Sequence, residues 1–316
     1  MPVDLQNLEE AARGLAGIAL RTPLVESPAL SRQLGVPVWL KAEQLQPVGA
    51  FKIRGAVTAL RRLPPEVRAR GVVTHSSGNH GIAVGWAARR LGVPAVVVVP
   101  EDAPAIKIEA IRSTGAELVL IQDRAQREPT ANRLMRERGL SFIPPYDHPD
   151  VLAGQGTCGL EILEQCPTVE TILVPVSGGG FLGGIATAVR GRKPGVRVVG
   201  VEPEGAAKLT AALAAGAPAR VEAPKSMADG LLAPAVGAIP FQQMAGVVKE
   251  AARVSEADLT AAVRFLWQGH GWRVEPSGAA AVAALLGGRL RPTGPTVAVV
   301  SGGNVDPELF SRLIAG

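Results

Sequence analysis

The 316-residue chain has few aromatic side chains, since only 3% of its positions are Phe, Trp or Tyr. Proteins that bind single-stranded nucleic acid rely on aromatic platforms for base stacking, and this composition offers none. The net charge is +5, but the basic residues are spread along the chain and form no block of like charge. We therefore expect no nucleic-acid partner and a mildly basic surface that favours small anions.

Cysteine is also scarce. Cys158 and Cys166 have no CxxC spacing and no histidine close in sequence, which argues against a metal or redox centre. The longest strand-like apolar run, residues 95–99, is far too short to cross a bilayer. The N-terminus carries Asp4, Glu9 and Glu10 and lacks the basic start of a signal peptide. We therefore expect a cytoplasmic protein without a membrane partner.

Short apolar segments alternate with helical patterns along most of the chain, which predicts an α/β fold with parallel sheets. A Pro-rich segment, residues 144–149, predicts a hinge, and the length allows two domains. The predicted strands are residues 36–41, 72–75, 95–99, 118–121, 142–143, 171–176, 196–201, 247–249 and 296–300. The predicted helices begin near Asp4 and then cover residues 78–91, 104–114, 129–138, 152–165, 181–190, 206–215, 256–268 and 276–286.

The sequence around Lys52 suggests that this lysine is reactive. A Gly-broken loop after the strand at 36–41 brings Lys52 to the first turn of a helix with apolar residues at helical spacing. The positive end of the helix dipole and the neighbouring Phe51 both disfavour the ammonium form. A neutral amine is what Schiff-base chemistry requires. Most lysines are nevertheless solvated surface residues, so the position of Lys52 does not by itself distinguish a reactive lysine from a surface one.

Two further loops join a strand to a helix. In Ser76-Ser77-Gly78-Asn79-His80, backbone N–H groups and hydroxyls can receive a carboxylate, although a plain serine cap is the more ordinary interpretation of this motif by itself. After the last predicted strand, Ser301-Gly302-Gly303-Asn304-Val305 reads in isolation as a simple turn.

The glycine-rich segment Ser177-Gly178-Gly179-Gly180-Phe181 favours a phosphate at a helix N-terminus, because only glycine lets the backbone come so close. Two interpretations stay open on this segment alone. Gly178, Gly180 and Gly183 fit G-x-G-x-x-G and Glu202 ends the next strand, as in a dinucleotide site. The phosphate of another cofactor fits equally well, and a nicotinamide cofactor would leave the Lys52 loop without a role.

These segments together resemble the fold-type II pyridoxal phosphate (PLP) enzymes. Gly49-Ala50-Phe51-Lys52-Ile53-Arg54-Gly55-Ala56, preceded by Lys41-Ala42-Glu43, is most similar to the threonine dehydratase and serine racemase branch. The resemblance runs from Arg21 to Val305. It implies a two-domain, tryptophan synthase β-like fold, each domain an open and mainly parallel sheet flanked by helices. The implied large domain is residues 1–48 and 147–316, and the implied small domain, with the substrate-carboxylate loop, is residues 49–146.

The resemblance also implies roles for individual residues. Lys52 carries PLP as a Schiff base, Asn79 reaches the 3′-oxygen, and Ser301 bonds the pyridine nitrogen, which leaves that nitrogen largely unprotonated. Lys52 is the catalytic base, and Ser77 is its counterpart in racemases. The implied cofactor-binding residues are Phe51, Lys52, Asn79, Ser177, Gly178, Gly179, Gly180, Phe181 and Ser301. The implied substrate-binding residues are Ser76, Ser77, Gly78, Asn79 and His80, without proton transfer by His80. Residues 227–230 and 275–278 also resemble segments that line the cofactor.

A cation site of metal-binding relatives is altered in this sequence. Glu202 and Ala206 match two of its oxygen ligands, but Lys208 stands where the family has an aspartate. We therefore expect no bound metal here, with the Lys208 ammonium in its place.

The implied reaction is the β-elimination of L-threonine to 2-oxobutanoate and ammonia, or of L-serine to pyruvate and ammonia. Serine racemase and 3-hydroxyaspartate ammonia-lyase are the alternatives, and a nicotinamide oxidoreductase or a non-catalytic binder is more remote. The family implies a homodimer or homotetramer. Because the sequence leaves no room for a regulatory domain after Gly316, we expect no inhibition by isoleucine.

Overall fold

The computed structural model describes residues 2–103 and 105–315. The strands, numbered along the chain, are β1 Leu24–Glu26, β2 Val38–Ala42, β3 Val72–His75, β4 Ala95–Pro100, β5 Glu117–Ile121, β6 Ser141–Phe142, β7 Thr171–Pro175, β8 Arg197–Pro203, β9 Val248–Val254 and β10 Thr296–Val300. The α-helices are α1 Leu5–Leu15, α2 Pro28–Leu34, α3 Lys52–Arg62, α4 Pro65–Arg70, α5 Asn79–Leu91, α6 Ala105–Arg112, α7 Arg127–Arg138, α8 Pro149–Gln165, α9 Gly180–Arg192, α10 Lys208–Ala215, α11 Ala238–Met244, α12 Glu256–His270, α13 Pro276–Leu286 and α14 Pro307–Ile314.

The strands form two sheets, which confirms the predicted α/β class. The larger sheet has the order β1-β2-β10-β7-β8-β9 and is parallel except for the antiparallel β1–β2 pair. The smaller sheet, β5-β4-β3-β6, is parallel throughout. None of the described helices is long and apolar enough to cross a membrane.

The larger sheet is covered on both faces, which is why its central strands are apolar at nearly every position. Ile172, Val174 and Val297 pack with the core formed by α1, α8 and α9. The alternate residues Leu173 and Ala298 pack with the core formed by α12 and α13. The two-residue period of a strand thus divides one apolar run between two helical layers.

Several predicted boundaries differ from the structure. The strand predicted at 247–249 continues to Val254, and the helix predicted from residue 152 begins at Pro149 with His148 as its cap. The helix predicted from residue 206 begins at Lys208, after a 3-10 turn. The first residue of the helix predicted at 104–114 lies outside the described residues, and α6 covers 105–112.

Helices α2, α4, α11 and α14 are not among the elements predicted from the sequence. Each has only six to eight residues, so the helical period of apolar positions repeats barely twice. Proline at the first turn of α2, α4 and α14 was the available signal, because proline is favoured there.

Helix α8 lies between α3 and α9 at close range. A Cβ on Gly154 would lie 2.3 Å from the carbonyl oxygen of Arg54 in α3. A Cβ on Gly156 would lie 2.7 Å from the carbonyl oxygen of Gly184 in α9. The absence of side chains at these two positions therefore lets three helices pack backbone to backbone.

A buried ion network fixes α3 to this layer. Arg54 donates to Glu43 from Nε (2.8 Å) and to Glu161 in α8 from both Nη atoms (2.8 Å each). Lys41 donates to the same Glu161 at 2.6 Å. Burial alone would raise the pKa of Glu43, but the Arg54 guanidinium holds that pKa below its usual value. The network therefore joins the end of β2, the Lys52 helix and α8 through the buried side chains of Lys41, Glu43 and Arg54 and the partly buried Glu161.

We expect Arg54→Ala to lower the free energy of unfolding of the cofactor-free protein by about 3–5 kcal/mol, because the fully buried Glu43 would lose its paired guanidinium, whereas Glu161 would keep only Lys41. Urea unfolding measures this change. Arg61→Ala, on the exposed face of the same helix, is the matched control and should change the free energy by less than about 0.5 kcal/mol. Equal effects of the two substitutions would contradict the role given to the network.

Candidate active site

Lys52 is the first residue of α3, as the sequence predicts. Its Nζ donates to the carbonyl oxygen of Pro145 at 2.7 Å and lies 5.1 Å from the centroid of the Phe51 ring. Phe51 itself stacks on Phe181, with ring centroids 3.9 Å apart. Burial lowers the pKa of Lys52 from 10.5 to about 8. An appreciable fraction of this amine is therefore neutral near physiological pH and can act as a nucleophile or base.

The loop before Lys52 is bound to the loop after β10. Phe51 N donates to the Ser301 carbonyl at 3.1 Å, and Gly303 N donates to the Gly49 carbonyl at 2.8 Å. Gly49 has φ +70°, and a Cβ there would lie 2.4 Å from Asn304 Oδ1. Position 49 therefore requires glycine, both for its positive φ and for lack of space. The two loops together hold Lys52 and Ser301 in one cleft.

The glycine-rich loop forms an anion cradle at the N-terminus of α9. Gly179 has φ +88°, and the backbone N–H groups of residues 179–181 have no acceptor in the part of the chain that the structure describes. The Tyr146 ring lies directly over Gly178, where a Cβ would be 2.3 Å from the ring carbons. Orphan N–H groups at the positive end of a 13-residue helix fit a phosphate.

The Ser76–His80 loop leads from β3 into α5. Ser76 Oγ accepts from Gly78 N at 3.2 Å, and within the described ranges the N–H groups of residues 79–81 have no acceptor. His80 Nε2 lies 2.9 Å from the Ile143 carbonyl. Burial, and to a smaller extent the charge of Lys52, lowers the pKa of His80 to about 3. His80 is therefore neutral, with Nε2 donating to Ile143, and it offers an anion only its backbone N–H.

Asn79 is held by two side chains. Its Nδ2 donates to Glu275 Oε1 at 2.6 Å, and its Oδ1 accepts from Asn304 Nδ2 at 2.7 Å. The second N–H of Nδ2 remains available for a ligand. Burial, with a smaller effect from Asp229, raises the pKa of Glu275 from 4.5 to about 8. Glu275 is therefore mostly protonated at neutral pH, so no full charge stands behind Asn79.

The segments 227–230 and 275–278 meet beside Asn79. Gly230 N donates to Ser277 Oγ at 2.9 Å. The Lys107 ammonium of α6 contacts the Asp229 carboxylate, so this ion pair joins the layer around the smaller sheet to a turn that precedes α11. The resemblance implies that both segments line the cofactor, and Glu275 contacts Asn79 in the structure.

Lys208 stands among the residues of the altered cation site. Its Nζ donates to the carbonyl oxygens of Ala206 (3.0 Å) and Leu231 (2.6 Å) and lies 4.0 Å from Glu202 Oε2. The Glu202 carboxylate also accepts from Leu209 N at 2.7 Å. Burial lowers the pKa of Lys208 to about 8, and the carboxylate opposes this shift.

The structure gathers most of the residues that the sequence singled out. Lys52, Phe51, Phe181, Asn79 and Ser301 belong to one connected set of contacts, and the glycine-rich loop adjoins them through Phe181 and Tyr146. Ser177 is turned partly away, since its Oγ accepts from Ala233 N. The sequence did not predict that Pro145 and Tyr146 contact the site, or that Glu275 is protonated at neutral pH. The Pro-rich segment at residues 144–149 was the available signal for Pro145 and Tyr146. No feature of the sequence around Glu275 indicates a raised pKa.

The comparisons with known proteins give the family. Residues 16–302 match the family model described as pyridoxal-phosphate dependent enzyme. The chain belongs to this family. It is 40% identical to the L-threonine ammonia-lyase of Thermotoga maritima, over 99% of this chain and 78% of that protein. Among solved structures, the T.th. threonine deaminase is 42% identical, covers 96% of this chain and 99% of its own, and has a TM-score of 0.90. Maize serine racemase has a TM-score of 0.94 at 34% identity, covering 100% of this chain and 98% of its own.

The family resemblance and the PLP cofactor expected from the sequence are thereby confirmed, and the nicotinamide alternative for the glycine-rich loop is not retained. The observed cleft fits the cofactor. It provides a partly neutral lysine amine, a cradle of unpaired N–H groups, and a fixed asparagine amide with a free donor.

The buried Glu275 makes a prediction about pH. The native state keeps the proton of this carboxyl up to about pH 8, whereas the unfolded chain releases it near pH 4.5. Stability therefore falls as pH rises through this window, by about 1.4 kcal/mol per pH unit from this group. The Glu275→Gln variant has no such proton. We expect the unfolding free energy of the wild type, minus that of the variant, to fall from pH 5 to pH 8. Urea titrations of cofactor-free protein measure it, and a pH-independent difference would contradict the assignment.

Proposed function

We propose that this protein is a PLP-dependent threonine ammonia-lyase, which converts L-threonine to 2-oxobutanoate and ammonia and L-serine to pyruvate and ammonia. The observation that carries the proposal is the Lys52 amine with its lowered pKa, at the junction of an anion cradle and a second loop of unpaired N–H groups. Two anion sites flanking one amine suit a cofactor phosphate and an amino-acid carboxylate. The near full-length similarity to threonine ammonia-lyases supports the same reaction.

Lys52 acts as the base in this proposal. PLP, when bound, supplies the electron sink that makes the α-proton of an amino acid acidic. The Lys52 amine removes that proton, the β-hydroxyl leaves and is released as water, and water then hydrolyses the resulting enamine to the 2-oxo acid and ammonia. The Pro145 carbonyl, 2.7 Å from Nζ, orients the amine while it is not bonded to the cofactor. A pKa of about 8 keeps the amine able both to accept and to return a proton.

The other assigned roles are proposals of the same kind. The backbone N–H groups of residues 79–81, with the Ser76 and Ser77 hydroxyls, receive the substrate carboxylate. The free N–H of Asn79 binds the 3′-oxygen, and the buried Ser301 hydroxyl faces the pyridine nitrogen. Residues 177–181 hold the phosphate, and Phe51 lies against the site through its stack on Phe181.

Serine racemase is the second candidate, favoured by the TM-score of 0.94 to the maize enzyme. It requires an acid–base group on the face of the α-carbon opposite Lys52, and Ser77 is the residue that the loop offers. The Ser77 side chain is half-buried beside the same cleft. A racemase returns the proton to the α-carbon, whereas a lyase loses the β-hydroxyl first.

We also propose the division into a large domain, residues 1–48 and 147–316, and a small domain, residues 49–146. The two sheets, one within each part, are consistent with this division. A homodimer or homotetramer in the cytoplasm completes the proposal, and the two cysteines are buried free thiols, as suits a reducing compartment.

The test is a substrate panel with purified protein, combined with identification of the modified lysine. We expect ammonia and 2-oxobutanoate from L-threonine and a smaller yield of pyruvate from L-serine. Borohydride reduction should bleach the yellow protein and place the pyridoxyl mass on the Lys52 peptide. Lys52→Ala should abolish turnover, and Lys249→Ala, an exposed lysine on β9, should leave it unchanged.

Three outcomes would contradict the threonine ammonia-lyase assignment. Efficient conversion of L-serine to D-serine with little pyruvate would favour the racemase. Turnover restricted to 3-hydroxyaspartate would favour that ammonia-lyase instead. A pyridoxyl label on another lysine would remove Lys52 from its role.

The position of Lys208 gives a separate proposal, that its ammonium replaces a divalent cation. We expect no tight Mg²⁺ or Ca²⁺ binding by the wild type in calorimetric titration. Lys208→Asp should gain binding, because it adds a carboxylate beside Glu202 and the Ala206 carbonyl, a set of oxygen ligands that suits these ions. Tight binding by the wild type that disappears in Glu202→Ala would contradict the proposal.

A further inference from the structure

Gln155 is a buried amide without a partner. Its side chain is 1% exposed, and neither Oε1 nor Nε2 has a hydrogen-bond partner among residues 2–103 and 105–315. Leaving both ends of a buried amide unpaired is costly, so native structures rarely do it. Such a group calls for an explanation, and its position in the fold decides whether a ligand provides one.

The side chain is aimed at the anion cradle. Helix α8 carries Gln155 between α3 and α9, and the neighbouring residues on both sides are glycines. Gln155 Oε1 lies 2.8 Å from the Cβ position of Gly180, the first residue of α9. Gln155 Cγ lies 3.2 Å from the Cβ position of Gly55, one turn after Lys52. The amide therefore occupies the space between the lysine helix and the phosphate loop.

The amide is also free to present its donor to this loop. Rotation by 180° about the last side-chain bond exchanges Oε1 and Nε2, and no hydrogen bond in the described residues opposes it. A phosphate dianion accepts hydrogen bonds only, and bonds to a charged acceptor are the stronger kind. The backbone N–H groups of residues 179–181 are unpaired at the same end of α9, so a side-chain donor would complete their set.

We propose that Gln155 is an additional ligand of the cofactor phosphate, to which its Nε2 donates. It is a positioning residue, because it contacts the cofactor away from the reacting atoms. The inference rests on the PLP cofactor of the proposed function and adds a contact that the loop motif alone does not contain. The alternative is a purely structural amide that packs α8 against its neighbours.

The test compares Gln155→Leu with the wild type, using apoenzyme prepared from the holoenzyme with hydroxylamine. Binding of inorganic phosphate is measured by calorimetry, and binding of PLP and of pyridoxal is measured by absorbance. We expect Gln155→Leu to weaken phosphate and PLP about 10- to 100-fold, as the loss of a hydrogen bond to a charged group predicts. Pyridoxal has no phosphate, so its affinity should not change.

Two controls separate a ligand from a packing role. Gln44→Leu removes another unpartnered buried amide, which lies against Gly303 rather than the cradle, and should leave phosphate binding unchanged. The apoenzyme of Gln155→Leu should unfold at no lower urea concentration than the wild type, because replacing an unpaired amide by an apolar group is neutral or stabilising.

Equal phosphate affinity in Gln155→Leu and the wild type would overturn the proposal. Equal losses for PLP and pyridoxal, or a destabilised apoenzyme, would also overturn it and assign Gln155 to helix packing. Phosphate binding requires no lysine chemistry, so this result is independent of whether the pyridoxyl label falls on Lys52, which bears on the proposed function alone.

Discussion

The pairing of the Arg54 guanidinium with the buried Glu43 carboxylate and the partly buried Glu161 carboxylate is the constraint on which the active site depends. Arg54 lies two residues after Lys52, and its partners come from the end of β2 and from α8. A buried charge without its partner is strongly destabilising, so the Lys52 helix has one favourable position relative to these elements. The reactive amine is thus placed by electrostatics that take no part in the reaction.

The chemistry itself is arranged at the carboxyl ends of parallel strands. Ser76 follows β3, Ser177 follows β7 and Ser301 follows β10, so loops from both sheets meet in one cleft. Burial at the cleft lowers the pKa values of Lys52 and His80 and raises that of Glu275, which in each case favours the neutral form. His80 and Glu275 therefore contribute little charge at neutral pH, and helix N-termini with unpaired N–H groups are available to hold the anions.

The sequence predicts the alternation of strands and helices and the loops that carry chemistry, because both depend on local patterns. It does not predict which distant side chains contact each other. Glu275 lies 196 residues from Asn79, Glu161 lies 107 from Arg54, and Pro145 lies 93 from Lys52, so only the folded chain brings these groups together. The raised pKa of Glu275 and the unpaired state of Gln155 arise from such contacts. Short helices escape prediction for the opposite reason, since too few residues are available to show a period.

The chain contains one tyrosine, and it is Tyr146, whose ring covers Gly178 in the anion cradle. Every phenol signal of the protein therefore comes from the place where the cofactor phosphate is expected. Nitration chemistry, or a fluorinated tyrosine supplied during expression, would label this position without any engineered residue. The molecule carries a built-in spectroscopic reporter of whether its cradle is filled.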